Sequence, residues 1–505
     1  MRCNLGVLRR AAYAAASVFS FFAVGDRASA QLEVGWRDAD LGGTVDVVMS
    51  APAGTTYITI VSLTEGPTCF GPKHPVGCID VDLALLDLSF LIPNFFATMG
   101  PSGTVTEQLD LDPDPALDGV VVNLQMTSLV NGKFTVKSPL CKLQFAFNDA
   151  WLHSVAPLLN DPAAVPAIAL ADGRIAFFGA QGANLDACEA WDPCTQQSNS
   201  LAPLPAGRAA HTVTKLQDGR VLVCGGADAA LVVNGGGEVW DPATDTWTPT
   251  GAMVTGRAVH SANLLPDGRV LIAGGTTDVS DVVAGATSAL RTTEIYDPAT
   301  NTFSAGPNLN RPHVGHVAVT LANGDVLVGG GGTYSTLFGI RIPAIDNHAQ
   351  GFQFATGTWT SEVTMKAGRA GASGVLLADG RVLVAGGIGG SITALTNLAS
   401  AEAFNPTTGT WANAGSMSLG RTGMPMVVLP GTNQVLVAGG ATGTSVTTPV
   451  PTDVVELFDP ATGLFSLRAP LPEPRAGAGA IVLPSNHAAL FGGVGLASPV
   501  SIYHD

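Results

Sequence analysis

After residue 149, short apolar runs of the type Val-Leu-Val recur along the chain, each opened by Asp-Gly-Arg or a relative and closed by Gly-Gly. Clear copies occupy 218–226, 267–275 and 379–387; looser ones occupy 323–330, 434–440 and 488–493, and a degenerate one 172–180. The spacing is about fifty residues, which is the signature of a repeat architecture. Each unit predicts four strands. The first is short and follows an Arg at 208, 257 or 311, over 211–216, 260–265 and 316–321. Asp-Gly or Asn-Gly then marks a tight hairpin, because the central residues of such a turn need positive φ. The second strand is the apolar run itself. The third closes in Trp-Asp-Pro or a relative, and its turn ends at Asp245, Asn301, Gly409 or Gly463, as a left-handed turn residue requires. The fourth opens on an aromatic: Trp247, Phe303, Trp359, Trp411 or Phe465.

Four strands per unit and seven Gly-Gly or related cassettes predict an all-β fold, a seven-bladed β-propeller over 148–505. The last unit reaches its third strand at 501–503, while the segment 151–158 before the first unit reads as an orphan fourth strand. Trp151 heads it, as an aromatic heads the five fourth strands named above. The expectation is that 151–158 completes the last blade and closes the ring, removing an exposed sheet edge.

These residues resemble the Kelch repeat family: Gly-Gly after an apolar strand, an aromatic after the third-strand turn, and Glu189, Glu238, Glu294, Glu402 and Glu456 before or at the third strand. The Asp-Gly-Arg-Val-Leu and Asp-Pro-Ala-Thr variants are similar to the bacterial branch that includes the central domain of galactose oxidase. That resemblance would imply a copper-radical site with tyrosine and histidine ligands and a Tyr–Cys thioether. The residues preceding His211, His260 and His316 are Ala210, Val259 and Gly315, none of them Tyr, and no innermost strand carries Cys. The expectation is therefore the fold without the oxidase site.

Residues 31–147 lack the cassette. Alternating stretches at 43–49, 56–63 and 120–127 between Gly/Pro turns predict a small β-sandwich. The apolar run 81–96 reads as strand and loop in preference to helix, given Pro93. The stretch 112–125 is similar to an accessory domain of secreted bacterial proteins. Asp110, Asp112, Asp114 and Asp118 lack the Gly and distal Glu of a calcium loop and read as a solvated turn.

Composition adds compartment and partner class. Arg2, Arg9 and Arg10, an apolar stretch over 11–24 and the small residues Ala28-Ser29-Ala30 form a secretory signal over 1–30. The stretch is about fourteen residues, too short to span a bilayer, so no membrane span is expected. The destination is the medium, the periplasm or the cell surface. A formal net charge of −16 with no basic run beyond the leader argues against nucleic acid. In an oxidising compartment Cys69–Cys78 and Cys188–Cys194 are spaced for local disulfides, with free thiols the alternative. Cys141 and Cys224 are not assigned partners, and Cys224 sits in a column of small residues.

Strand alternation puts the Asp-Gly and Asp-Pro-Ala-Thr turns on one face and every long insertion on the other: 276–292, 331–349, 388–400 and 441–453. Variable loops on a rigid scaffold are where binding resides. Arg208, Arg257, Arg311, Arg369, Arg421 and Arg475 lead toward the same face. They read either as a ring that clamps an anion or as partners of the repeat glutamates. Tyr334 and His348, in the blade-four insertion, are further ligand candidates. His211, His260 and His316 form a column that offers a weak metal site. No nucleophile elbow or phosphate loop stands out, and no cofactor is called. The resulting expectation is a monomeric, non-catalytic protein that binds an extracellular glycan or protein. The alternatives are a galactose-oxidase-like or other carbohydrate-active enzyme and an envelope or matrix structural component.

Overall fold

The computed structural model describes residues 31–34, 44–50, 56–62, 65–69, 78–81, 96–98, 104–110, 121–130, 133–137, 141–144, 150–153, 158–159, 167–179, 184–193, 195, 197–391, 394–443, 450–483, 487–493 and 500–504. Residues 1–30, expected above to be a secretory signal, the run 82–95 and the carboxylates at 112–118 lie outside them.

The cassette becomes seven four-stranded antiparallel sheets, one of them with an added outer strand. In the second blade Thr212–Lys215, Val221–Cys224, Gly237–Asp241 and Thr246–Pro249 follow one another outward, and the other blades repeat this order. The second strand of each blade is buried along its whole length. Both of its faces meet a neighbouring blade, so a continuous apolar run replaces the alternation of a half-exposed strand.

The strand Ala150–His153 pairs antiparallel with Ser501–His504, matching Trp151 to Tyr503. Trp151 stacks on Tyr503 with ring centroids 5.0 Å apart. The same third-to-fourth-strand aromatic contact joins Tyr296 to Phe303, Phe352 to Trp359, Phe404 to Trp411 and Phe458 to Phe465. The Trp151 indole donates to the Ala469 carbonyl at 2.9 Å, as Trp247 does to Ala202 and Trp359 to Pro307. Trp151 thus occupies the aromatic position of an outermost strand, and the first strand of the ring completes the last blade.

The core is a ring of apolar seams between adjacent blades. Leu490 and Tyr503 meet Leu436 and Leu457; Phe491 and Ile502 meet Ile175 and Phe177; Phe178 and Cys188 meet Val221 and Trp240. Further seams follow the same rule round to the sixth blade.

The Gly-Gly pair is required by the approach of the next blade. Gly225 and Gly226 have φ of 68° and 85°, and a Cβ on Gly225 would lie 2.4 Å from the Arg257 carbonyl oxygen. The Gly226 N–H donates to that oxygen at 2.9 Å. Equivalent bonds run from Gly275 to His313, Gly331 to Arg369, Gly387 to Arg421 and Gly440 to Arg475.

Before the ring, Gln31–Val34, Thr44–Ser50 and Thr104–Asp110 form one antiparallel sheet. Thr56–Ser62, Phe96–Thr98, Val121–Val130, Lys133–Lys137 and Cys141–Gln144 form a second. In a separate two-stranded ladder Cys69 is the register partner of Cys78. Among the described residues no helix is long and apolar enough to cross a membrane.

Candidate functional site

The antiparallel order fixes two faces. First-to-second and third-to-fourth strand turns share one, and second-to-third strand connections share the other with the blade-to-blade crossings. The second face carries the short helix Val282–Thr287 from blade three, a hairpin of Gly332–Leu337 and Ile340–Ile345 from blade four, and a hairpin of Ile388–Ser391 and Ala394–Asn397 from blade five.

The arginines do not form a ligand clamp. Arg208, Arg257, Arg369, Arg421 and Arg475 are at most 2% exposed. Arg257 donates to Glu294 at 2.7 Å, and Arg208, Arg369 and Arg421 donate likewise to Glu238, Glu402 and Glu456. Arg475 donates to Ser501 at 2.8 Å. Their other nitrogens reach the first carbonyl of Gly-Gly, as Arg257 does at Gly274 and Arg369 at Gly386. Three of these glutamates also receive a crossing segment: Glu294 accepts from the Val254 and Thr255 amides, Glu402 from Lys366 and Ala367, and Glu456 from Ser418. Burial lowers the Arg257 pKa, and the Glu294 charge opposes the drop. Buried guanidiniums are kept by such pairing and are lost as anion sites.

Arg311 stands outside this column. It is 44% exposed and meets Glu362 at 3.2 Å. His313 fills its place: buried to 1%, it bonds the Gly330 carbonyl through Nδ1 at 2.8 Å. Gln350 replaces the glutamate and accepts from the Asn310 amide. The seventeen-residue step from Arg257 to Gly274 would have found His313, since the step from His313 to Gly330 is the same.

The histidine column does not converge on a metal. The Nε2 of His211 bonds the Phe178 carbonyl at 2.8 Å, that of His260 the Thr212 hydroxyl at 2.9 Å, and that of His316 the Ser261 hydroxyl at 3.0 Å. Each imidazole therefore ties its blade to the preceding one. Burial pulls the pKa of His211 down to about 4 and of His316 to about 3, and that of His260 well below its ordinary value. The groups are neutral spacers. Among the described residues no cluster of His, Cys, Asp and Glu is arranged for a metal ion.

Among the described residues Cys188 is a free, buried thiol. It donates to the Asp186 carbonyl at 3.6 Å, and burial pushes its pKa to about 12. Its sequence neighbour Cys194 lies outside the described residues. Cys224 is also free and buried, 3.4 Å from the Thr212 hydroxyl and 3.8 Å from His260 Nε2. This Cys–His contact is not a nucleophile pair, because burial raises the thiol to about 11 and keeps the imidazole neutral.

Tyr334 and His348 are not brought together by any hydrogen bond or ring contact. Tyr334 sits on the blade-four hairpin under Arg341, whose guanidinium carbon is 4.4 Å from the ring centre. His348 Nδ1 is 2.7 Å from the carboxylate of Asp346, which is buried. The pair anchors the base of the hairpin.

The central channel has a backbone rim. Val259 donates to the carbonyl of Ala210, Gly315 to that of Val259, Gly371 to Gly315, Gly423 to Gly371 and Gly477 to Gly423. All six residues have positive φ, between 53° and 67°. Below the rim a 530 Å³ cavity is lined by small residues such as Gly371, Ser373, Gly423 and Ala480, with no charged side chain among them. A second cavity, of 360 Å³, opens among the three insertions. Its walls include Val259, Val282, Ala286, Ile345 and Leu395, with Asp278 and Asp281 at its side. Beyond it the blade-four hairpin exposes Leu337, Phe338, Ile340 and Ile342, with Phe338 at 95%. Loop length marks this face in the sequence, but the apolar surface is not visible there, because it depends on which insertions stand side by side.

Residues 369–418 match the Kelch motif. No curated protein matches the chain. A solved structure titled "Structure of YjhT" is 16% identical, with a TM-score of 0.46, over 63% of this chain and 99% of its own. The Kelch motif in blade five and a ring of seven blades of the same build fit a Kelch-repeat β-propeller.

Proposed function

We propose that this protein is an exported binding protein whose insertion-bearing face engages an extracellular protein. The observation that carries the reading is the apolar hairpin of blade four, with Phe338 95% exposed at its tip and an apolar cavity at its base. Contiguous exposed apolar surface on a rigid scaffold marks protein contact. A glycan site would need hydrogen-bonding side chains converging on its floor. Here the repeat arginines and glutamates are spent on one another, and the cavity wall is aliphatic. The same pairing argues against catalysis by the conspicuous side chains, since the buried histidines and thiols are neutral and enclosed. Export rests on the leader 1–30, and the sheets before the ring are read as a small accessory sandwich.

The test is retention of culture-medium proteins by the immobilised full chain. A variant carrying Leu337→Ser, Phe338→Ser and Ile340→Ser should keep its Tm and lose what the parent retains. Equal retention by the two proteins contradicts the proposal.

A further inference from the structure

We infer that the cavity between the three insertions is a socket for a basic–apolar segment of a protein partner, an aliphatic side chain seated inside and a cationic neighbour on its rim. This inference rests on the binding role proposed above.

The socket is built, not incidental. The helix Val282–Thr287 forms one wall, and the blade-four hairpin is fastened to it by Arg341, which donates to the Thr287 carbonyl at 2.7 Å. Ile388 and Leu395 of the blade-five hairpin close the far side. Val259 lines the cavity next to the channel rim. It holds φ at 53°, a left-handed conformation that a β-branched residue adopts only under strain. Glycine holds this position in blades four to seven, at Gly315, Gly371, Gly423 and Gly477. Val259 therefore keeps an isopropyl group at the cavity, where the repeat itself would accept none.

The rim supplies the charge. Asp278 accepts from the amide and hydroxyl of Ser280 through Oδ1, which lowers its pKa and holds it ionised. Asp281 caps the helix by accepting the Ala284 amide through Oδ1. Among the described residues neither carboxylate has a cationic partner. An apolar cavity flanked by two uncompensated carboxylates, on a protein of net charge −16, favours a cation and repels an anion. A free anion or a fatty acid headgroup is thereby disfavoured.

The probes are three short peptides titrated into the full chain and read by methyl NMR at Val282, Ile345 and Leu395: acetyl-Leu-Lys-Leu-amide, acetyl-Leu-Glu-Leu-amide and acetyl-Ser-Lys-Ser-amide. The first should give saturable shifts at these methyls; the other two should give none. Asp278→Asn should weaken the first peptide by roughly threefold, the range of an exposed ion pair. Val282→Lys, at an exposed position, and Ala344→Phe, which fills the cavity, should each abolish the shifts. Two substitutions guard against one of them misfolding. Equal binding of the glutamate peptide, unchanged binding in Val282→Lys, or no shifts in the parent protein would overturn the inference. A cross-linking adduct at position 338 without cavity shifts would sink the socket alone and leave the binding face standing.

Discussion

The Arg257 guanidinium donates to the Glu294 carboxylate at 2.7 Å with both side chains buried, and the same carboxylate receives the Val254 and Thr255 amides of the crossing from the preceding blade. One ion pair thus holds a blade's first strand, its third strand and the segment that joins it to its neighbour. Removing one partner strands a buried charge, so Glu294→Ala should cost about 3–5 kcal/mol in equilibrium unfolding. The double variant Arg257→Met, Glu294→Leu should recover part of that loss. A single variant within about 0.5 kcal/mol of the parent would show that the pair is not organising the blade.

The buried histidines give the ring an acid limit. His211 titrates at about 4 in the folded chain against an ordinary value of 6.5, and His316 at about 3. Their folded values are depressed, so the unfolded chain binds more protons between these limits. Stability should be full above pH 6.5 and fall as the pH drops toward 4, with the His316 contribution still falling below that. Denaturant unfolding at several pH values reads this directly. His211→Gln should flatten the slope, and an unchanged slope in that variant would count against the assignment.

The thiols of Cys188 and Cys224 should resist alkylation in the native protein at pH 8, since burial holds them at about 12 and about 11. Mass mapping after iodoacetamide treatment should find both unmodified until denaturant is added. Rapid native labelling of Cys188 would contradict its placement.

Val259 is strained for the sake of the surface it lines. Val259→Gly should remove about 1–2 kcal/mol of left-handed strain and return about 0.5–1 kcal/mol as backbone entropy. Tm should hold or rise slightly. A clear fall in Tm would mean that the isopropyl group is a packing element and not a cost.

The fold was legible because its determinants are local. Asp-Gly turns, enclosed apolar strands and Gly-Gly pairs each answer a nearby steric demand, as Gly225 does against the Arg257 carbonyl. The place of Trp151 was legible because the last unit lacked a fourth strand and Trp151 heads a segment built like the aromatic-led fourth strands of other units. The arginine column was visible with the repeat glutamates as one of two readings of its partners, and the structure selects that one; the histidine column was visible, but its partners were not. Whether Arg257 points into the channel or onto Glu294 depends on the curl of a crossing segment. Arg311 misled because it stands two residues before His313, the residue that fills the column. The apolar face was hidden for another reason. Val282, Ile345 and Leu395 belong to three blades and meet only when the ring is closed.

The proposed binding face is tested most directly by a photo-cross-linking amino acid placed singly at Phe338 and at Leu464 in cells that produce the protein. Leu464 is exposed at 66% next to a third-to-fourth strand turn, on the opposite face. Discrete protein adducts are expected from position 338 and none from position 464. Adducts from 464 alone, or from neither position, would contradict the proposal.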